Sequence, residues 1–289
     1  MEFELKGNFF DGSYIFPKTT GPEATDFFID KYCPAQLDQQ LWRCLIDYSH
    51  VEPTIDSSLN GFQTWRQTSN DERIQSLKRY QEQVILKKKE LATSISLETG
   101  KPIWESLEEV ENAISYVDIL ISRSNYNIKP PEISEDNKYI KRGSILKPIG
   151  PHLILGSFVD PCFITSSKII TALLAGNSII YKPSEKTCYS GELLNDCLIK
   201  ASFPKGVINL IQGGSEIGRR LALDKAVKGV FLTGSMETGK KIIQATHDDL
   251  RKVVNLELGG KNTTIICDDA DLENALVETT KGSFLSSGQ

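Results

Sequence analysis

The spacing of apolar positions changes twice along the chain. Between Ser69 and Gly100, Ile74, Leu77, Val84, Ile85, Leu91 and Ile95 recur at helical intervals; Ser69 and Glu72 form a capping-box pattern before them and Gly100 follows them. This predicts one long amphipathic helix. Pro102 suits the first turn of a second helix, in which Leu107, Val110, Ile114, Val117 and Ile121 recur every three or four residues on one face. Residues 125–138, with Pro130, Pro131 and the polar SEDNK stretch, read as a surface linker, and Tyr139 to Lys147 as a strand-like run. From Gly150 the short apolar runs HLILGS, NSIIYKP, GVINLIQ, GVFLTG, KVVNLEL and TTIICD alternate with longer helical patterns. Strands of that length, separated by helices, imply an open α/β sheet of parallel strands, with its ligand at their carboxyl ends. The N-terminal part before Ser69 shows little clear period.

Composition narrows the function classes. The 289 residues carry 33 basic and 38 acidic side chains, a formal charge of −5, so no basic surplus exists to neutralise a phosphate backbone and nucleic acid is not expected as a partner. No stretch approaches the roughly 18 apolar residues of a membrane span, and the opening MEFELKGNFFDGSY lacks a basic start followed by an apolar run. The expectation is a cytoplasmic protein that does not engage a membrane. Cys33, Cys44, Cys162, Cys188, Cys197 and Cys267 form no C-x-x-C pair, and His50, His152 and His247 are equally scattered. Buried free thiols are expected, with no metal site and no histidine-based triad.

Three motifs can carry chemistry. Lys182-Pro183-Ser184-Glu185 leaves a strand, where a Lys and a Glu can both bond ribose hydroxyls, although Pro-Ser-Glu also suits a plain helix start. Gly234-Ser235-Met236-Glu237-Thr238-Gly239 follows the strand GVFLT, and a glycine there lets the backbone approach a phosphate at a helix N-terminus. Continued through Lys240 and Lys241 it nearly matches the P-loop pattern, but Lys241 stands where a hydroxyl should bind magnesium, which leaves a P-loop nucleotide binder as a minor alternative. In Leu256-Glu257-Leu258-Gly259-Gly260-Lys261 one carboxylate interrupts an apolar run. Removed from water, Glu257 suits a general base; paired with a lysine such as Lys261, it is structural, and local sequence favours neither reading.

Together and in this order, KPSE, FLTGSMETG and LELGGKN resemble the aldehyde dehydrogenase superfamily. LETGKP at 97–102 and ALLAGN at 172–177 extend the resemblance over nearly the whole chain, most weakly over its first 60 residues. LIQGGSEIG, ETGKPIWES and GSFLSSGQ look most like the succinylglutamate semialdehyde dehydrogenases of arginine breakdown. The resemblance implies a Rossmann-like cofactor domain: an N-terminal section with long helices over 1–138, a β-extension of the kind used for oligomerisation at 139–148, and the NAD-binding region over 149–289. It also implies NAD-dependent oxidation of an aldehyde to an acid, in which a cysteine thiolate attacks the aldehyde, hydride passes to NAD and a glutamate activates the water that releases the acid. By matching motifs, Lys182 and Glu185 hold the adenine ribose, Gly234, Ser235 and Gly239 lie along the pyrophosphate, and Glu257 is the water-activating base. A carboxylate at 185 repels a ribose 2′-phosphate, favouring NAD over NADP.

Two departures from the family pattern lead to the expectation of an inactive chain. The family's nucleophilic cysteine lies just beyond a segment like Ser286-Ser287-Gly288-Gln289, so the catalytic domain is expected to be absent, and an aldehyde would be a substrate only if that domain were supplied. In Ser157-Phe158-Val159-Asp160-Pro161, Val159 takes the place of the asparagine whose amide stabilises the oxyanion. Cys162 nearby is more simply a small core residue than a substitute nucleophile. A non-catalytic NAD-binding or interaction protein on the same scaffold is the alternative.

Overall fold

The computed structural model describes residues 3–18, 27–127, 134–137, 140–142 and 146–288. The N-terminal part holds β1 (Asn8–Phe10), β2 (Ser13–Ile15), β3 (Phe28–Cys33), β4 (Gln36–Leu45) and α1 (Val51–Trp65). Two long helices follow, α2 (Asn70–Thr99) and α3 (Ile103–Asn127), then β5 (Ser134–Asn137) and β6 (Ile140–Arg142). Strands and helices then alternate: β7 (His152–Leu155), α4 (Phe163–Leu174), β8 (Ile179–Lys182), α5 (Cys188–Lys200), β9 (Ile208–Leu210), α6 (Ser215–Leu223), β10 (Gly229–Gly234), α7 (Met236–Thr246), β11 (Val253–Leu258) and α8 (Leu272–Gly288).

The predicted helix boundary at Ser69 is set by a reciprocal capping box. The Glu72 N–H donates to Ser69 Oγ, the Ser69 N–H donates to Glu72 Oε2, and at the other end Gly100 closes α2 in the left-handed conformation, φ 82°. Seven strands form one sheet in the order β11-β10-β7-β8-β9-β1-β2, parallel from β11 to β9 and antiparallel at β1 and β2. Strand side chains alternate between two cores. Ile154, Ile179 and Tyr181 pack under α2, α3, α4 and α5, whereas Leu153, Leu155, Ile180 and Val230 pack against α1, α6 and α7. Chain order runs outward from β7 in both directions, so the topology reverses between β7 and β10, and such a reversal opens a crevice at the strand ends.

Helix α1 lies directly on the turn before β9. A Cβ on Gly61 would sit 2.1 Å from the Gly206 carbonyl carbon, and Gly206 itself has φ +81°, so both positions require glycine.

Three predicted elements differ. Within the surface linker expected over 125–138, of which 128–133 and 138 lie outside the described residues, Ser134–Asn137 forms β5 and pairs antiparallel with β6; a polar stretch can do so because the ladder bonds are made by backbone. Of the strand-like run Tyr139 to Lys147, only Ile140–Arg142 forms a strand; Tyr139 and residues 143–145 lie outside the described residues. The apolar run TTIICD forms no strand: Ile265 is 82% exposed, and among the described residues no neighbouring strand pairs with it. Conversely, the N-terminal section that shows little period supplies β1 and β2 to the main sheet, because three-residue strands are too short to display one.

Candidate functional site

A cleft of about 930 Å³ opens at the carboxyl ends of β7, β8, β10 and β11, where the topology reverses. Its walls are the segments that leave these strands.

Lys182 ends β8 and reaches the cleft from a buried position. Its ammonium donates to the carbonyls of Pro183 at 2.8 Å and Gly213 at 2.6 Å, and the Glu185 carboxylate stands 4.0 Å away. An ammonium has three donors, so one remains for a ligand hydroxyl. Burial pushes the Lys182 pKa down, opposed by Glu185. Glu185 is half exposed at the same wall, so the structure brings this predicted pair together.

Gly234, the last residue of β10, and Ser235 after it line the cleft. The Thr238 N–H donates to Ser235 Oγ at 3.2 Å, making Ser235 the N-cap of α7; the other first-turn N–H groups have no intrahelical acceptor and, with the helix dipole, favour an anion. Gly239 is placed differently. It does not line the cleft but faces β11, where a Cβ would sit 2.7 Å from the Leu258 side chain, so its smallness serves helix-to-strand packing. The P-loop alternative fails on geometry: α7 begins at Met236, so Gly239, Lys240 and Lys241 lie within a helix instead of a phosphate-wrapping loop, and Lys241 pairs with Glu237 at 2.7 Å.

Glu257 lies on β11 beside Thr233 of β10. Thr233 Oγ1 donates to Glu257 Oε2 at 3.1 Å, and the other carboxylate oxygen forms an ion pair with Lys168 of α4. The expected removal from water is not found, since 48% of the Glu257 side chain is exposed, and its cation is Lys168, not Lys261. Lys168 was not singled out from sequence. Helix α4 starts across the cleft from β11, and only the fold brings residues 168 and 257 together.

Val159 lines the cleft beside Phe158, so an apolar side chain stands where the family pattern places an amide donor. Asp160 turns instead to the Lys101 ammonium, which also donates to Glu109 Oε2 at 2.9 Å. The Cys162 thiol is buried, and burial with Glu109 nearby pushes its pKa well above the usual value, which disfavours the nucleophilic thiolate. Among the described residues no cysteine lines the cleft, and no group of three or more His, Cys, Asp or Glu side chains is placed to hold a metal ion. Nor is any described helix long and apolar enough to cross a membrane.

These residues fit a dinucleotide. A buried ammonium with a spare donor and an adjacent carboxylate suit ribose hydroxyls, and a capped helix N-terminus behind a glycine suits a pyrophosphate. Residues 22–289 match the model of the aldehyde dehydrogenase family. An N-succinylglutamate 5-semialdehyde dehydrogenase of Legionella pneumophila is 37% identical over 231 residues, which are 79% of this chain and 46% of that protein. This chain therefore spans about half the length of the curated relatives it matches. Among solved structures, PnpE in complex with nicotinamide adenine dinucleotide superposes with a TM-score of 0.89 at 27% identity, over 99% of this chain and 57% of that one. An NADP-dependent enzyme of E. coli superposes with a TM-score of 0.88 at 26% identity, over 98% and 58%. With its reversed sheet and a family match over residues 22–289, the chain belongs to the aldehyde dehydrogenase family.

Proposed function

We propose that these 289 residues bind NAD in the cleft between β7 and β10 and form the cofactor-binding part of an aldehyde-oxidising enzyme, with succinylglutamate semialdehyde as the aldehyde. The observation that carries the cofactor reading is the pairing of Lys182 and Glu185 at the end of β8, across the crevice from the capped N-terminus of α7. Lys182 and Glu185 bind the adenine ribose, and the α7 N-terminus with Gly234 and Ser235 receives the pyrophosphate. When bound, the cofactor supplies a hydride acceptor. Glu257, oriented by Thr233 and Lys168, holds a water and takes its proton. The aldehyde assignment rests on the 37% identity to the Legionella protein. Residues 139–148 act as an oligomerisation extension, and the cytoplasm is the proposed location.

The same geometry supports a chain that does not turn over an aldehyde by itself. Val159 offers no hydrogen bond to a developing oxyanion, and loss of one such donor lowers turnover by roughly 100- to 1000-fold. The cleft residues described contain no thiol.

Calorimetric titration of the purified chain with NAD and with NADP tests this reading. Saturable NAD binding, tighter than that of NADP, is expected, because Glu185 repels a 2′-phosphate. Tighter binding of NADP would show Glu185 to be misplaced, and absence of binding to both would leave an interaction surface as the remaining reading. Aldehyde-dependent NADH formation by this chain would overturn its proposed inactivity.

A further inference from the structure

Two of the helices that follow a cleft-lining loop, α4 and α5, begin without a side-chain cap of their own, unlike α7 with its Ser235 cap. Helix α4 starts after the loop 156–161 with Cys162 in the N-cap position, α5 starts after the loop 182–187 with Thr187 there, and neither side chain accepts a bond from its own helix. In each case a glutamate from the α2–α3 hairpin takes that place. Glu98, in the last turn of α2, accepts from the N–H groups of Tyr189 at 3.1 Å and Ser190 at 2.9 Å, as well as from Ser190 Oγ. Glu109, on α3, accepts from the N–H groups of Cys162 at 2.7 Å and Phe163 at 3.2 Å. Both carboxylates are buried, and each is held from a further side: Glu98 by the Trp42 indole at 2.7 Å, Glu109 by the Lys101 ammonium, which also grips Asp160 of the loop itself.

We infer that Glu98 and Glu109 are positioning residues for the cofactor cleft, Glu98 setting the ribose-side loop 182–187 and Glu109, with Lys101, setting the loop 156–161 on the side of the reacting end. A carboxylate that takes two first-turn N–H groups fixes where the helix starts, and hence where the preceding loop must end. The two glutamates are joined by the Gly100 turn, so one rigid hairpin dictates the spacing of both walls. The ligand in this inference rests on the cofactor reading above; the loop geometry does not.

The test uses Glu98→Gln and Glu109→Gln in the whole chain, since glutamine keeps the shape but turns an amide donor toward donors. Hydrogen exchange without ligand is expected to quicken at Tyr189 and Ser190 in the first variant and at Cys162 and Phe163 in the second. With ligand, Glu98→Gln is expected to weaken AMP and NAD alike, by about tenfold or more, whereas Glu109→Gln weakens NAD and leaves AMP unchanged. Unchanged exchange at these amides, or quickening spread evenly over the fold, overturns the inference, as does equal loss of AMP and NAD in both variants. If the exchange pattern appears but the unmodified chain binds neither nucleotide, the cofactor reading fails and the positioning role stands. Should Glu98→Gln not fold, Trp42→Phe, which deletes one donor to Glu98, is expected to quicken the same two amides, and no change there overturns the inference.

Discussion

Lys182 shows how a single residue can be structurally expensive and functionally apt. Burial disfavours its charge, and two backbone carbonyls and a carboxylate at 4.0 Å keep the ammonium in place with one donor left for the cleft. Lys182→Met preserves most of the bulk and removes the donors. NAD affinity is expected to fall between about 10- and 100-fold, the equivalent of one charge-assisted hydrogen bond, with little loss of thermal stability; titration and a melting curve check both. This pair was legible in sequence because both residues sit within four positions of a recognisable strand end. The Lys168–Glu257 pair was not, since its partners are 89 residues apart and neither belongs to a pattern that names the other. Gly239 was legible as a required glycine but not for its reason: its neighbour Leu258 comes from another strand.

Buried carboxylates join elements here in addition to apolar contact. Glu192 of α5 accepts from the N–H groups of Lys6 at 2.9 Å and Gly7 at 3.0 Å, fastening the chain just before β1. Desolvation outweighs these bonds and raises its pKa from 4.5 to about 7. A raised folded-state pKa means that the folded chain holds the proton more tightly, so this group's contribution is fully present below about pH 4.5 and is lost as the pH rises toward 7. Glu98 and Glu109, also raised by burial, act in the same direction. Glu192→Gln is expected to flatten this part of the stability profile, by on the order of 3 kcal/mol across the window, as read by denaturant unfolding at a series of pH values. A second contact between elements is steric. Gly61→Ala drives a methyl group into the backbone at Gly206 and is expected to cost about 3 kcal/mol, measured by the same unfolding assay. The hairpin of α2 and α3 could be drawn from sequence because capping and period are local signals. The caps that it lends to α4 and α5 could not, because those bonds exist only once the helices are packed.

On the scale of the whole molecule, the two ends of the chain contrast. Near the end of the described chain, α8 buries no residue, and Leu272, Leu276 and Phe284 are exposed with Ile265 and Ile266 before them. Exposed apolar side chains of this kind bind hydrophobic dyes and favour association. Changing Leu272 and Leu276 to serine is expected to lower dye binding without lowering the unfolding midpoint, because no core contact is removed. TTIICD belongs to this region, and its misreading as a strand has the same origin: an apolar run becomes a strand only where another strand accepts its backbone bonds. The N-terminus, by contrast, is built into the main sheet, with Phe9 of β1 paired to Leu210 of β9. That pairing has a consequence for synthesis. At about 5 to 20 residues per second, the intervening chain takes roughly 10 to 40 s to emerge from a ribosome, and until then Phe9 and Phe10 have no sheet to enter. Strand β1 is thus made well before the neighbour that holds it in the sheet, and its two aromatic side chains wait for β9 while the chain between them is translated.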